Sequence, residues 1–562
     1  MPDDPKKLPF DTSKEESELA AIHEREEEDV ARILSEKYGM PYADLALKTV
    51  NADALRLIPE EEARATKAAA FDVVAKKLSL AVNDPHNPAL PALLEELAGR
   101  GYDVAKYLVS KKSFEKALAR YAELSHAIES KPGVFRVPQA AFAKLAASDH
   151  SKQALAEEFD RATAEESLER VSRVLEIAFA GAIALRASDI HLEPEGEKTR
   201  LRLRIDGLLT DAYFFDARTY HQLNSRIKVL SGAKLNITDR AQDGRFTLDT
   251  AEKQIEIRAS FIPGAYGESI VLRLLDPETT RVSYKELGIP AKLLERLEVE
   301  IRRANGMLLN TGPTGSGKTT TLYSFLREIH TPEIKIITIE DPIEYHFEGI
   351  VQTQVEGEKY TFAEGLRSIV RQDPDVIMVG EIRDAETAGI AIQAALTGHF
   401  VFSTVHTNDA AGTFPRLADL GADPKSFGSA ITVSMAQRLV RKLDPSNKKA
   451  RPTTAAEQAM IKKLFENVAD ASLAPQQIDT VFEPAEATEE KTGYKGRIGL
   501  FEAIFMDDEL AHFLRDNPPE GDIRRAVAKQ GYLTMAQDGV LKALAGVTSL
   551  EEVAGTVDLP RP

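Results

Sequence analysis

Residues 307–320 read MLLNTGPTGSGKTT, an apolar run that breaks into a glycine-rich loop and gives way to the helical pattern TTLYSFLREI at 320–329. The segment fits GxxxxGK[ST] in the strand-to-helix setting that a phosphate-binding loop requires. Gly312, Gly315 and Gly317 let the backbone wrap closely around phosphates, with Pro313, Thr314, Ser316 and Thr320 completing the loop. Lys318 is placed to neutralise the β and γ phosphates and Thr319 to ligate Mg²⁺. A merely structural glycine turn has no need of the lysine.

Outward from the loop, apolar runs continue at IKIITIE (334–340), DVIMVGE (375–381) and HFVFSTVHT (399–407), alternating with helical segments. That alternation predicts a mostly parallel sheet with crossover helices, an α/β core. In such sheets ligands meet the carboxyl ends of the strands, so the acids that end these runs are candidates for the metal and the attacking water. Glu381 follows one run in the manner of a Walker B acid for Mg²⁺ or its waters, and Glu340, Asp341 and Glu344 follow another. His399 and His406 flank the last run. A single histidine is more often a packing or surface residue than a functional one, and this spacing matches no metal site.

The whole chain has 562 residues, too many for one core, and about three domains are expected. From Ser13 to Lys37, Glu, Lys and Ala with Val30, Ile33 and Leu34 at helical spacing predict exposed helices with a solvated acidic face. Leu57 to Tyr121 reads as a small α/β domain, and Ser125 to about Glu165 as a linker. A mixed α and β domain follows from Glu166 to Pro277, then the core from Ser283, then a helical, polar region beyond Leu439. The formal net charge of −18 argues against nucleic acid as the main substrate. No run approaches the about 20 apolar residues of a membrane span, and MPDDPKKLPFDTSKEESEL lacks the pattern of a secretory signal, so a cytoplasmic place with indirect membrane contact is expected. The absence of cysteine excludes disulfides, thiol catalysis and cysteine-based zinc sites.

Taken in order, ASDIHLEP, RIDG, QDGR, VLRLLD, GPTGSGKT, IEDPIEY, GLRSIVRQDPDVIMVGEIRDAETA, TGHFVFSTVHTND and GYKGRIGLFEAI resemble the signature blocks of the type II secretion and type IV pilus assembly ATPases, from about Glu166 to the C-terminus. YGMPYADL, LIPEEEA and LSLAVNDPHNP resemble the first domain of the longer, extension-type members. The resemblance implies a RecA-like P-loop motor core (278–438), a mixed α/β, PAS-like middle domain (166–277), a small α/β N-terminal domain (1–130), a linker (131–165) and a mainly helical C-terminal region (439–562). It also implies a homo-hexamer with ATP and Mg²⁺ at subunit boundaries, acting on an inner-membrane platform protein. Lys318 and Thr319 would then bind nucleotide and Mg²⁺, Glu344 would be the general base and Glu381 the Walker B acid. His399 and His406 match the family's His box. Arg258 and Arg273 on the middle domain match arginines that stabilise phosphate charge, with Arg367, Arg371 and Arg497 as further candidates.

The chain departs from the pattern after QRLVRKL: DPSNKKARPTT stands where many members carry four zinc cysteines, so no zinc is expected and a packed lobe is the alternative. The paired Arg-Leu-Gly motifs through which some longer relatives bind a cyclic dinucleotide are absent, and that ligand is not expected. Pilus assembly is the first expectation, with type II secretion as the alternative. A retraction motor, a non-hydrolysing switch or scaffold and a DNA motor are rivals.

Overall fold

A computed structural model describes residues 27–45, 50–55, 57–74, 76–123, 133–146, 152–164, 170–276, 282–357, 359–466, 468–485 and 492–560. They divide into two compact units, Met1–Pro132 with Phe159–Glu176, and Gly133–Glu158 with Ile177–Pro562. The expected boundary at Pro277 and the expected helical stretch from Ser13 to residue 26 lie outside the described residues.

In the first unit, strands β1 (Ala68–Val74) and β2 (Lys77–Val82) pair antiparallel, and β3 (Asp103–Leu108) joins β2 in parallel. The parallel step needs a crossover, which helix Leu90–Gly99 supplies by burying Leu90, Leu93 and Leu97. Helix Lys111–Ala119 is capped by Ser110, whose side chain accepts from the Ser113 amide. Residues 27–38 are helical, and Val30 and Ile33 are exposed at 56% and 70%, so the apolar spacing read from the sequence does not face a core there. Glu28 on this helix instead accepts the hydroxyls of Ser110 and Ser113 at 2.5 and 2.9 Å.

The second unit holds two seven-stranded sheets. One contains β4 (Val134–Arg136), β5 (Ala187–Glu195), β6 (Lys198–Ile205), β7 (Leu208–Asp216), β8 (Gln242–Asp249), β9 (Gln254–Gly264) and β10 (Gly267–Leu275), in the order β4-β8-β9-β10-β5-β6-β7. Its pairings are antiparallel except β4 with β8. β4 lies in the stretch expected as a linker; Phe135, buried in the middle of three residues, is its apolar anchor.

The other sheet contains β11 (Gly306–Thr311), β12 (Ile336–Glu340), β13 (Val351–Gln354), β14 (Val376–Val379), β15 (Phe400–Val405), β16 (Ile431–Leu443) and, after the two-stranded pair β17 (Lys448–Pro452) and β18 (Thr480–Pro484), β19 (Tyr494–Phe505). The order is β13-β12-β14-β15-β11-β16-β19, parallel except β16 with β19. This is the expected α/β core with helices on its faces. β11 and β15 are buried along their full length, which is why they read as continuous apolar runs rather than alternating ones. Each Leu or Phe so buried contributes about 1.5–3 kcal/mol. The C-terminal region is rich in helices and also lends β19 to the core sheet: GYKGRIGLFEAI is its outer strand, paired with QRLVRKL.

β17 and β18 form a lobe with helix Ala455–Phe465, where Met460, Ile461, Phe465 and Val481 share an apolar cluster with Leu533, Val540, Leu550 and Val553. Arg451 reaches both Glu457 and Glu483 there. No helix among the described residues is long and apolar enough to cross a membrane.

Candidate active site

β11 ends at Thr311 and helix Lys318–Ile329 starts seven residues later, so the glycine loop caps the sheet at its carboxyl edge. Glycine is obligatory at two places. A Cβ on Gly312 would stand 2.5 Å from the Gln437 carbonyl, and one on Gly317, at φ 87°, would stand 2.9 Å from Gln437 Nε2. Gln437 is the brace of this corner, and nothing but its place in QRLVRKL marks it in the sequence. Its Oε1 accepts from Asn310 Nδ2 at 3.0 Å and from Thr321 Oγ1 at 2.8 Å, tying β16 to β11 and to the first turn of the phosphate helix.

The loop borders a cavity of about 430 Å³ that is also lined by Thr319, Thr320, Asp341, Glu344, Glu381, His406 and Arg497. Lys318 Nζ donates to the carbonyls of Gly312 and Pro313 at 2.9 and 3.1 Å, and among the described residues no carboxylate pairs with it. Burial pulls its pKa down, opposed by Glu381 and reinforced by Arg438. The hydroxyl of Ser316 is buried and has no partner among the described residues. A lysine folded over loop carbonyls, an orphaned hydroxyl, and carboxylates across the cavity suit a polyphosphate and a hydrated divalent cation, so the residues fit ATP and Mg²⁺.

The acids do not behave alike. Glu340 is buried in the cavity wall with its carboxylate committed to neighbours: it accepts from Tyr323 Oη at 2.7 Å, Thr338 Oγ1 at 2.5 Å and Gln352 Nε2 at 3.3 Å. Burial raises its pKa, and those hydrogen bonds oppose the rise. After a cis Asp341–Pro342 bond the chain brings Glu344 into the cavity. Burial raises the pKa of Glu344 as well; Arg258 opposes it, Glu340 adds to it, and Arg273 and a hydrogen bond from Thr319 oppose it. Glu381 stands just past β14, with Oε2 3.2 Å from His406 Nε2 and Oε1 accepting from Arg383 Nη1 at 3.1 Å. Arg383 also lies 3.6 Å from Asp341, linking the two acid segments.

The candidate arginines separate by position. Arg258 Nη2 donates to the carbonyl of Ile343, next to Glu344. Arg273 and Arg497 line an adjoining cleft of about 840 Å³ together with Glu344, Tyr345 and Thr320, and Arg497 borders the nucleotide-sized cavity too. Arg367 and Arg371 do not reach the cavity: Arg367 sits on the exposed side of helix Phe362–Val370 and pairs with Glu386, and Arg371, the exposed C-cap of that helix, donates to Ser368 Oγ at 3.1 Å. His399 is not brought to the cavity either. It precedes β15 at the amino edge of the sheet, with Nδ1 3.0 Å from the Ala394 carbonyl.

Residues 164–555 match the model of the type II/IV secretion system protein family, about 70% of the chain. The chain belongs to that family. Residues 38–128 match the MshEN domain. Among relatives of this family, the chain is 34% identical to the type IV pilus assembly ATPase PilB of Myxococcus xanthus, over 94% of this chain and 91% of that protein. It is 38% identical to a type II secretion system protein E of Dickeya dadantii, over 90% of this chain and 98% of that one. It is 44% identical to a type II secretion system protein E of Xanthomonas campestris, over 68% of this chain and 66% of that one. The family is one of ATPases that serve secretion and pilus machines, and the cavity described above lies within the matched residues.

Proposed function

We propose that the chain hydrolyses ATP to ADP and phosphate as a homo-hexamer and uses the energy to extend a type IV pilus at the cytoplasmic face of the inner membrane, through a membrane-embedded platform protein. The observation that carries the reading is the convergence of Lys318, Glu344 and Glu381 on one cavity, with Arg258 hydrogen-bonded beside Glu344. The loop amides, Ser316 and Lys318 would hold the phosphates, and Thr319 and Glu381 would hold the cation and its waters. When bound, Mg²⁺ neutralises the charge that develops between the β and γ phosphates. Glu344, kept basic by burial, takes the proton of the attacking water, and Arg258 and Arg273 face the charge that spreads over the γ phosphate. His406, 3.2 Å from Glu381, registers whether the γ phosphate is present, a role supported by that contact. Arg367 and Arg371 point outward, where a neighbouring subunit can meet them.

The match along 94% of the chain with the Myxococcus pilus ATPase supports the pilus reading. The second reading, assembly of a type II secretion pseudopilus, is supported by the higher identity, 44%, with the Xanthomonas secretion protein. The same motor chemistry serves both. The acidic net charge of −18 speaks against a DNA motor. The experiment is a comparison of ATP binding and turnover in Glu344→Gln: bound ATP with turnover reduced by a factor on the order of 10²–10⁴ supports hydrolysis through this carboxylate. Unchanged turnover, or an unmodified chain that binds ATP and never releases phosphate, contradicts it.

A further inference from the structure

On the middle sheet the register places a row of charged residues directly opposite one another across five strands: Arg245 on β8, Arg258 on β9, Arg273 on β10, Asp189 on β5 and Arg204 on β6. Directly paired residues project from the same face, so four guanidinium groups share a face with one carboxylate. Asp189 is 4% exposed, and both its oxygens are used by the row: Oδ1 accepts from Arg273 Nε at 3.0 Å, and Oδ2 lies 3.3 Å from Arg204 Nε and accepts from Ser188 Oγ at 2.8 Å.

The grip on Arg273 is one-sided. Asp189 takes Nε, whereas among the described residues no acceptor takes either Nη, and the side chain is 60% exposed toward the cleft that also holds Glu344 and Thr320. A guanidinium held by Nε alone keeps its two terminal nitrogens available as a planar fork for an oxyanion. Without the carboxylate, Arg273 would be one more cation in a row of like charges, repelled by Arg258 and Arg204 and free to sample many rotamers.

We propose that Asp189 is a positioning residue for hydrolysis: it fixes Arg273 by Nε so that the free fork faces the phosphate chain, and it offsets the repulsion within the arginine row. This inference rests on the hydrolytic reading above. Asp189 lines neither cavity and bears on hydrolysis through Arg273.

The test is a double-mutant cycle on the full-length hexamer, measuring kcat and KM for ATP with Asp189→Asn, Arg273→Ala and both together. Asp189→Asn is expected to lower kcat roughly tenfold in the unmodified background and to add no further loss once Arg273 is alanine. The same fold-loss in both backgrounds overturns the proposal, because it makes Asp189 a support of the sheet alone. Should Asp189→Asn not fold, as judged by thermal melting, Arg273→Lys decides: lysine keeps the charge but cannot bind Asp189 and an oxyanion through separate nitrogens, so kcat must fall as in Arg273→Ala, and an unmodified kcat overturns the proposal. Failure of the hydrolytic reading has a different signature, no turnover in the unmodified chain. The cycle is then read in the affinity for ATP, where additive losses overturn the inference in the same way.

Discussion

His399 and His406 flank the two ends of β15, seven peptide steps apart across a fully buried strand that runs parallel to β11. Only the carboxyl end of that strand faces the phosphate loop, so His406 meets Glu381 while His399 closes the helix Ala385–Leu396 on the far edge.

The two histidines therefore separate by experiment. His406→Ala is expected to lower kcat by about tenfold with folding intact, the scale of one lost polar contact in an active site. The effect of His399→Ala is expected in the melting temperature, through the lost contact to the Ala394 carbonyl. Steady-state kinetics beside thermal melting of both variants checks the assignment, and equal kinetic losses would contradict it.

The pH dependence follows from Glu344. A proton acceptor works in its ionised form, and burial raises the pKa of this carboxyl, so activity falls as pH drops through a value above the ordinary glutamate range. Arg258 opposes that rise, so Arg258→Gln removes the opposing charge and moves the acid limb of the kcat profile to higher pH, in addition to lowering kcat. A limb that stays in place or moves to lower pH contradicts the pairing.

Tyr323 bears on stability. It is one of three donors to buried Glu340, and Tyr323→Phe leaves that carboxyl short of a partner, which costs about 1–3 kcal/mol. Denaturant titration is expected to show the loss. A variant as stable as the parent would mean that the carboxyl is already protonated or solvated.

The C-terminal lobe carries a prediction about metal. Ile461 is buried in the cluster that joins helix Ala455–Phe465 to the C-terminal helices, and Ile461→Ala is expected to cost about 2–5 kcal/mol. A chelator added to the nucleotide-free protein is expected to leave the melting temperature unchanged, because the lobe is held by packing and by Arg451 between Glu457 and Glu483. A chelator-induced fall in melting temperature would contradict it.

Much of this site was legible in the sequence because it is local. The loop 312–319 announces itself by glycine spacing and Glu381 by following an apolar run, whereas Glu344 stood among three acids after another run and was singled out by the family resemblance. What was not legible depends on partners far apart in the chain. Gln437 meets Asn310 and Thr321 over more than a hundred residues, and Asp189 meets Arg273 over 84. No period or motif encodes such pairs. The two histidines looked alike because they flank one short run, and only strand direction tells them apart. The strand β4 was hidden by its length of three residues, below what an alternating pattern can signal.

Steady-state ATP hydrolysis against protein concentration, for the unmodified chain and for Lys318→Ala, tests the ring and its site together. A ring whose site is completed between subunits predicts specific activity that rises with concentration to a plateau, and loss of that activity in Lys318→Ala at every concentration. Specific activity independent of concentration down to monomer would contradict the ring, and turnover that survives in Lys318→Ala would contradict the site.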